Sequence, residues 1–167
     1  MIITPVDLTI IFKILLSALL SGMIGYEREH WHKPGGIRTY MLVGVGTTLF
    51  CIVSVEILNQ FPDRIAMDPT RIAAAVIQGL GFIGAGMIIH KGRRAIGLTT
   101  AAGIWVTAAV AMSIAYGYYF YSVFTALLVF FSLVVIGNVS KKDKIRSIKG
   151  AEKQNRQDSD DDDDDSY

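Results

Sequence analysis

Five long runs without charge clusters constrain this sequence more than any other feature. Crossing the hydrocarbon core of a bilayer takes roughly 20 apolar residues in a helix. Such runs occupy residues 8–26, 40–58, 72–89, 98–116 and 118–139. They hold only two charged side chains, Lys13 and Glu56, and all four prolines lie outside them, as uninterrupted helices require. The sequence therefore predicts an all-α, polytopic membrane bundle with five transmembrane helices.

The composition argues against the other broad classes. Buried helices of a soluble bundle would need polar faces that these runs lack, and only 19% of the residues are charged. A soluble enzyme is therefore disfavoured, and no nucleophile and base are grouped as a membrane enzyme would need. Cys51 is the only cysteine, which excludes an internal disulfide and a four-cysteine zinc site in one chain. We predict no enzyme activity, cofactor, metal site or nucleic-acid partner.

The distribution of Lys and Arg predicts the orientation, because positive residues are retained on the cytoplasmic side. With the N-terminus outside, the loops on the inside and the C-terminal tail hold 13 of the 16 basic residues, and the outside segments hold only Arg64 and Arg71. We expect residues 1–7 outside the cytoplasm, the transmembrane domain at 8–139, and residues 140–167 as a cytoplasmic tail. That tail is basic and then acidic, with a run from Asp160 to Asp165 near its end, and we expect it to be disordered.

Small residues at four-residue spacing predict which helices pack closely, since lipid provides no hydrophobic drive for helix association. The stripes are Ser17, Ser21 and Gly25 in the first run, Gly81 and Ala85 in the third, and Gly103, Thr107, Ala111 and Ala115 in the fourth. We expect these three helices to form the tight core. The fifth run has bulky side chains on every side of its predicted helix, so we expect it to face lipid.

Polar groups within the runs are candidates for function, because each needs a partner, water or a short path to the interface. Lys13 and Glu56 lie near the same predicted membrane edge, so they form an intramembrane pair or Lys13 extends alone to the interface. Gln78 lies in the middle of the third run and can bond between helices. Gly79, Gly81 and Gly84 spell a dinucleotide fingerprint, but they lie within a hydrophobic run, where that fingerprint does not function.

The segment 27–38 is the densest polar cluster before the tail. Its Arg and Lys side chains suit lipid phosphates or a protein partner, and its carboxylates are expected to pair with them, although a plain solvated loop accounts for the segment equally well. Glu27 and His30 form half of a carboxylate metal motif, and no second half exists. Asp68 is placed to cap the third helix and Pro69 to begin it, which leaves Arg71 without a structural role.

Five ordered motifs give the chain a resemblance to a known family. They are residues 22–29 (GMIGYERE), 33–39 (KPGGIRT), 68–74 (DPTRIAA), 79–86 (GLGFIGAG) and 97–109 (GLTTAAGIWVTAA). The sequence resembles the MgtC/SapB family of bacterial membrane proteins over about residues 8–139. The resemblance implies a multi-pass protein of the cytoplasmic membrane with five spans. Longer members have a folded cytoplasmic C-terminal domain, and we expect this chain to be a short form without it.

The resemblance also suggests a role. Family members are linked to growth under magnesium limitation and to virulence, and the family name carries a magnesium transport label. An alternative implied by the family is regulation of a membrane complex such as the ATP synthase. The family's polar motif positions give our binding or gating candidates: Glu27, Arg28, Glu29, Lys33, Arg38, Asp68, Arg71, Thr99, Thr100 and Trp105, with Gln78 added from its position in the span.

Two functions from different classes remain open. The first is a non-enzymatic regulator that supports magnesium homeostasis by binding a membrane protein, favoured by the small-residue stripes and the scarcity of charge. The alternative is direct transport of Mg²⁺ or another ion, which would need several oxygen ligands near the midplane. Only Gln78 and hydroxyls such as those of Thr47, Thr48 and Thr107 lie there. This is a sparse ligand set for one chain, but transport is conceivable at the axis of a homo-oligomer.

Overall fold

The structure is a computed structural model that describes residues 5–60, 68, 70–92, 94–135 and 137. The expected N-terminal and tail segments lie outside these residues, apart from residues 5–7, and so does Pro69. The chain divides into two units, Met1–Phe130 and Phe131–Tyr167. All packing described below lies within the first unit, and the structure describes only the end of the last helix in the second.

Five helices make up most of the described chain. They are α1 (Pro5–His30), α2 (Ile37–Gln60), α3 (Thr70–Gly86), α4 (Leu98–Ala115) and α5 (Tyr119–Val135). By length and composition α1, α2 and α4 qualify as membrane spans, and α3 and α5 are shorter apolar helices. The predicted all-α membrane helix bundle is therefore confirmed.

A short β-hairpin replaces the end of the predicted third span. Two strands, β1 (Ile89–Lys91) and β2 (Arg94–Ile96), pair antiparallel with Ile89 opposite Ile96. The prediction of a helix reaching residue 89 was wrong, because α3 ends at Gly86. Gly97 directly follows β2 with φ +97°, and a Cβ there would overlap the carbonyl oxygen of Met87. Only glycine adopts this backbone conformation without strain. The next residue, Leu98, begins α4.

The tight core consists of α1, α2 and α4. The most extensive helix contact is between α1 and α2, followed by that between α2 and α4. The expectation that α3 joins α1 and α4 in the core was wrong, since only Leu80 and Gly84 of α3 are buried. The small residues of α1 pack on α2 instead: a Cβ on Gly44 would overlap the Ser21 hydroxyl, and a Cβ on Gly25 would lie 2.8 Å from the Cβ of Tyr40.

The bundle has two ends that differ in chemistry. At the first end α1 ends, α2 and α4 begin and the β-hairpin lies; we call it the hairpin end. At the opposite end, which we call the Lys13 end, Lys13 meets the last turn of α4, and Cys51, Ile52, Met112 and Ala115 form an apolar cluster.

The described part of α5 presents bulky side chains outward, as a lipid-facing helix does. Phe120, Phe124 and Leu128 are exposed, whereas Ser122 and Ala126 are buried. The helix therefore has one small, buried side, which the prediction of bulk on every side did not include. The rings of Phe12 and Tyr119 meet edge to face with centroids 5.8 Å apart. The start of α5 therefore packs against α1 at Phe12.

Candidate functional site

A buried ion pair lies in the last turn of α1, at the hairpin end. Glu27 is 2% exposed and Arg28 is 5% exposed. The Arg28 Nε donates a hydrogen bond to Glu27 Oε2, so the two side chains form a salt bridge. The other carboxylate oxygen, Glu27 Oε1, is buried and receives no hydrogen bond from any described residue. Charges removed from solvent need a close partner, and here the partner is the next residue in the chain.

The turn after this pair follows from the end of α1. The backbone amide of Lys33 donates to the Arg28 carbonyl at 2.9 Å, and that of His32 donates to the Glu29 carbonyl at 3.0 Å. His32 has φ 50°, and together these features form a Schellman motif. The side chain of Glu29, in the last turn of α1, caps the start of α2, because its Oε2 accepts a hydrogen bond from the Ile37 amide at 2.9 Å. Glu29 therefore has a capping role.

Tyr40 connects α2 to α4 next to the ion pair. It is fully buried, and its hydroxyl donates to the backbone carbonyl of Thr100 at 3.1 Å. Gly103 lies directly against the Tyr40 hydroxyl and Gly25 lies against its Cβ, so two glycines make room for one ring. Tyr40 was not among the residues predicted from the sequence, although Gly25 and Gly103 belong to the small-residue stripes predicted there.

A line of polar side chains runs from the ion pair along the interface of α1, α2 and α4. We call it the polar seam, and its members beyond the ion pair are Tyr40, Ser21, Ser17, Thr107, Thr48 and Lys13. The Thr48 hydroxyl donates to the Ala111 carbonyl at 3.2 Å. At the far end, the Lys13 ammonium donates to the Ala115 carbonyl at 2.7 Å. The seam therefore joins the two ends of the bundle through its core.

The intramembrane pair of Lys13 and Glu56 does not form in this structure. Lys13 bonds to the end of α4, while Glu56 is exposed on α2. The salt bridge that the structure shows among the described residues joins Glu27 and Arg28 instead. Of the two alternatives that the sequence left open, the pair is therefore not the one in this structure, because depth in a span does not determine the direction in which a side chain points.

The remaining candidates are dispersed. Lys33, Arg38, Thr99 and Trp105 are exposed, and Thr100 is buried. Asp68 caps α3 as predicted, accepting hydrogen bonds from the Thr70 amide at 2.8 Å and the Thr70 hydroxyl at 2.7 Å. These bonds, first that of the hydroxyl, lower the pKa of the Asp68 carboxyl below its usual value. Arg71 is exposed at the start of α3, far along the helix from the hairpin end.

One face of α3 is exposed and made of small residues around an amide. Its members are Ala74, Gln78, Gly81 and Ala85, all exposed, and their spacing places them along one side of the helix. A Cβ on Gly81 would meet nothing within 4 Å. Gln78 has no hydrogen-bond partner among the residues that the structure describes. We call this surface the Gln78 face.

The described residues offer little for a metal or nucleotide. They contain no group of three or more His, Cys, Asp or Glu side chains able to hold a metal ion. Gly79, Gly81 and Gly84 lie inside α3, so they do not form the strand-to-helix turn of a dinucleotide site. What the arrangement offers is a polar seam through the core, a buried ion pair and an exposed small-residue face.

Comparison with known proteins gives a consistent result. The sequence model of the MgtC family matches residues 14–142. An Escherichia coli K12 protein named "Putative magnesium transporter YhiD" is 43% identical over 129 residues, 75% of this chain and 59% of that protein. Protein SapB of Bacillus subtilis is 40% identical over 117 residues, 68% of this chain and 50% of SapB.

Protein MgtC of Brucella abortus is 42% identical over 92 residues, which cover 55% of this chain and 36% of that protein. The chain thus spans about half the length of the curated relatives that it matches. No solved structure matches it.

Proposed function

The chain belongs to the MgtC family of membrane proteins, and on that premise we propose that it is a non-enzymatic regulator that supports magnesium homeostasis by binding another membrane protein within the bilayer. The proposal includes the cytoplasmic membrane as its location, with the N-terminus outside, because basic residues concentrate in the loops and tail assigned to the inside. A complex such as the ATP synthase is the kind of partner that the family resemblance implies.

The Gln78 face carries this proposal. An amide directed at hydrocarbon is unfavourable, because lipid offers it no hydrogen bond. Small residues on both sides of Gln78 let the backbone of a neighbouring helix approach, and the amide can then bond across the contact. The helix also uses few residues inside its own bundle, since only Leu80 and Gly84 are buried. These features favour lateral association of α3 with a helix of another protein.

Site-directed photo-crosslinking in native membranes tests this contact. A photoreactive amino acid replaces Ala85 on the Gln78 face, and a second chain carries it at Phe124, which is exposed on α5. We expect the Ala85 position to capture a specific membrane protein that the Phe124 position does not capture. Capture of only lipid or a second copy of the chain at Ala85 would contradict the proposal.

Two glycines of α3 provide matched variants for the same experiment. A Cβ on either Gly79 or Gly81 would meet nothing within 4 Å, so leucine at either position leaves the bundle folded. Gly81 lies on the Gln78 face, whereas Gly79 lies in the apolar groove between α2 and α3. We expect Gly81→Leu to abolish the crosslink and growth of a complemented strain under magnesium limitation, and Gly79→Leu to preserve both. Equal behaviour of the two variants would count against the Gln78 face.

Transport of Mg²⁺ is the second candidate, favoured by the name of the Escherichia coli relative. Mg²⁺ gives up its water reluctantly and prefers carboxylate and carbonyl oxygens. Glu27, the carboxylate at the end of the polar seam, is already paired with Arg28. This arrangement gives transport less support than lateral association.

A further inference from the structure

An apolar groove opens between α2 and α3. Its volume is about 690 Å³, which lies within the range of about 300–1,000 Å³ typical of small-molecule sites. Among the described residues that line it, only Thr47 has a polar side chain. Gly46 of α2 and Gly79 of α3 belong to the lining, and a Cβ on either would meet nothing within 4 Å. These two glycines therefore leave space for a ligand without side chains in the way.

The groove has the length of one leaflet of a bilayer. Along α3 its lining extends from Ile72 to Ile83, which is about 16 Å at 1.5 Å per residue. One leaflet is half of the hydrocarbon core, or about 15 Å. An acyl chain that crosses one leaflet therefore matches the groove in length.

Bulky side chains at the groove favour an acyl chain over a helix as its occupant. Leu42, Phe50 and Phe82 line it and are 74%, 62% and 85% exposed. Helices that associate in lipid use small residues at the contact so that their backbones can approach, and these three side chains obstruct that approach. A flexible chain of methylene groups fits between them, and it supplies the van der Waals contacts that an empty groove lacks.

The two ends of the groove differ in charge. At the hairpin end, where α2 begins and α3 ends, the segments 27–38 and 90–94 hold six basic and two acidic residues, a net charge of +4 with histidines neutral. At the opposite end, the segment 56–71 runs from the last turns of α2 to the start of α3 and holds two basic and three acidic residues, a net charge of −1. The hairpin end is therefore the end that attracts an anionic group.

Arg38 lies at the hairpin end of the groove. It precedes the lining residue Leu42 by four positions in α2, so the two residues share one side of the helix. Its guanidinium group is exposed and bonds to none of the described residues. Arg38 is therefore available to an anion at the mouth of the groove.

The β-hairpin brings a second cation to this end. Met87 follows α3 and contacts two other segments: a Cβ on Gly35 would lie 2.7 Å from Met87 Cε, and a Cβ on Gly97 would overlap the Met87 carbonyl oxygen. The loop before α2 and the end of the hairpin therefore meet at the end of α3. Arg94 is exposed on β2, three residues before Gly97, so it lies at the same end of the groove as Arg38.

We propose that the groove between α2 and α3 binds one anionic phospholipid from the leaflet at the hairpin end. One acyl chain occupies the groove, and the phosphate accepts hydrogen bonds from the guanidinium groups of Arg38 and Arg94. Charge-assisted bonds from arginine to phosphate are among the strongest that side chains make. Basic pockets between transmembrane helices are typical sites for anionic headgroups.

This lipid site is separate from the proposed contact with a protein partner. Gly79 lines the groove, whereas Gly81 lies on the Gln78 face, and residues two apart are about 200° apart around a helix. A lipid in the groove therefore leaves the Gln78 face free, and the two proposals succeed or fail independently.

Native mass spectrometry of the full chain tests the headgroup contact. The protein is released from mild detergent after titration with phosphatidylglycerol, which is anionic, or with phosphatidylcholine of the same acyl chains. We expect wild type to bind one phosphatidylglycerol in preference to phosphatidylcholine. We expect Arg38→Gln to bind phosphatidylglycerol about tenfold more weakly, as the loss of a hydrogen bond to a charged group implies.

Arg71→Gln is the matched control for this substitution. Arg38 and Arg71 are each the exposed second residue of a helix, but Arg71 lies at the other end of the groove. The two variants have the same net charge, so a general attraction to anionic lipid affects both equally. We expect Arg71→Gln to bind as wild type does. Equal affinities of the two variants, or equal binding of the two lipids by wild type, would overturn the proposal.

A second pair of variants tests the groove itself. Gly46→Leu fills the groove from α2, and Gly81→Leu adds the same side chain outside it, where a Cβ also meets nothing within 4 Å. We expect Gly46→Leu to lose the bound phosphatidylglycerol and Gly81→Leu to retain it. Retention by both variants would refute the assignment to this groove. A wild-type spectrum of dimers without bound lipid would also refute it, in favour of a second copy of the chain.

Discussion

Replacing Arg28 with methionine should destabilise the bundle more than any other single change of charge. The substitution keeps the length of the side chain and leaves the buried Glu27 carboxylate without its partner. Breaking a buried pair in this way costs about 3–5 kcal/mol. We expect a large loss of thermal stability in detergent, measured by fluorescence-detected size exclusion after heating.

Two further variants separate this effect from a general loss of positive charge. Lys33→Met removes an exposed cation from the same turn and should leave the melting temperature nearly unchanged. The double variant Glu27→Gln, Arg28→Met removes both charges and should recover most of the lost stability. A single variant as stable as wild type, or a double variant no better than the single, would show that the pair is not what holds this end together.

Leucine at Gly44 should separate α1 from α2. A Cβ at this position would overlap the Ser21 hydroxyl and lie 2.7 Å from the Ser21 Cβ, at the most extensive helix contact in the bundle. Overpacking of a core costs about 1–3 kcal/mol and more where the neighbours cannot move. We expect Gly44→Leu to abolish the peak of folded protein on size exclusion.

The control for this change lies two residues further along the same helix. A Cβ on Gly46 would meet nothing within 4 Å, so Gly46→Leu should fold normally. Adding Ser21→Gly to the less severe Gly44→Ala variant should restore its stability, because it removes the side-chain atoms that the new methyl group would overlap. If Gly44→Leu and Gly46→Leu melt alike, the close approach of α1 and α2 is not present in solution.

Hydropathy was sufficient to predict the membrane helices but not where the third one ends. The runs at 8–26, 40–58 and 98–116 each fall on a long helix that the structure contains. Residues 87–89 are as apolar as the helix before them, yet they form a turn and the first strand residue. The left-handed Gly97 and the pairing of Ile89 with Ile96 decide this, and hydropathy reports neither a backbone conformation nor a strand pairing.

Which helices form the core was predicted only in part: α1 and α4 belong to it as expected, and α2 rather than α3 completes it. The small residues of α1 and α3 look equivalent in spacing, but those of α1 meet α2, while the Gln78 face of α3 meets nothing in its own bundle. Composition shows that a face can pack closely, and it does not identify the partner.

The candidate site was predicted in part, for a related reason. Asp68 was assigned correctly as a cap because capping is local in sequence. The carboxylates of residues 27–38 were expected to pair with the basic side chains of the same segment, and Glu27 does pair with Arg28. That the pair joins adjacent residues was not predicted, because adjacent helical residues usually diverge and the segment was interpreted as a loop. Tyr40 and the seam hydroxyls depend on three helices meeting, and their spacing alone indicated only close packing.

Measurement of Mg²⁺ entry into sealed liposomes tests most directly whether the protein acts through contacts or through transport. The full chain is reconstituted, shown to be folded, and compared with protein-free vesicles and with the Arg71→Ala and Gln78→Ala variants. We expect Mg²⁺ to enter wild-type vesicles no faster than protein-free ones. Faster entry that either substitution reduces would contradict a regulator acting by lateral contact, and would place that residue on a transport path.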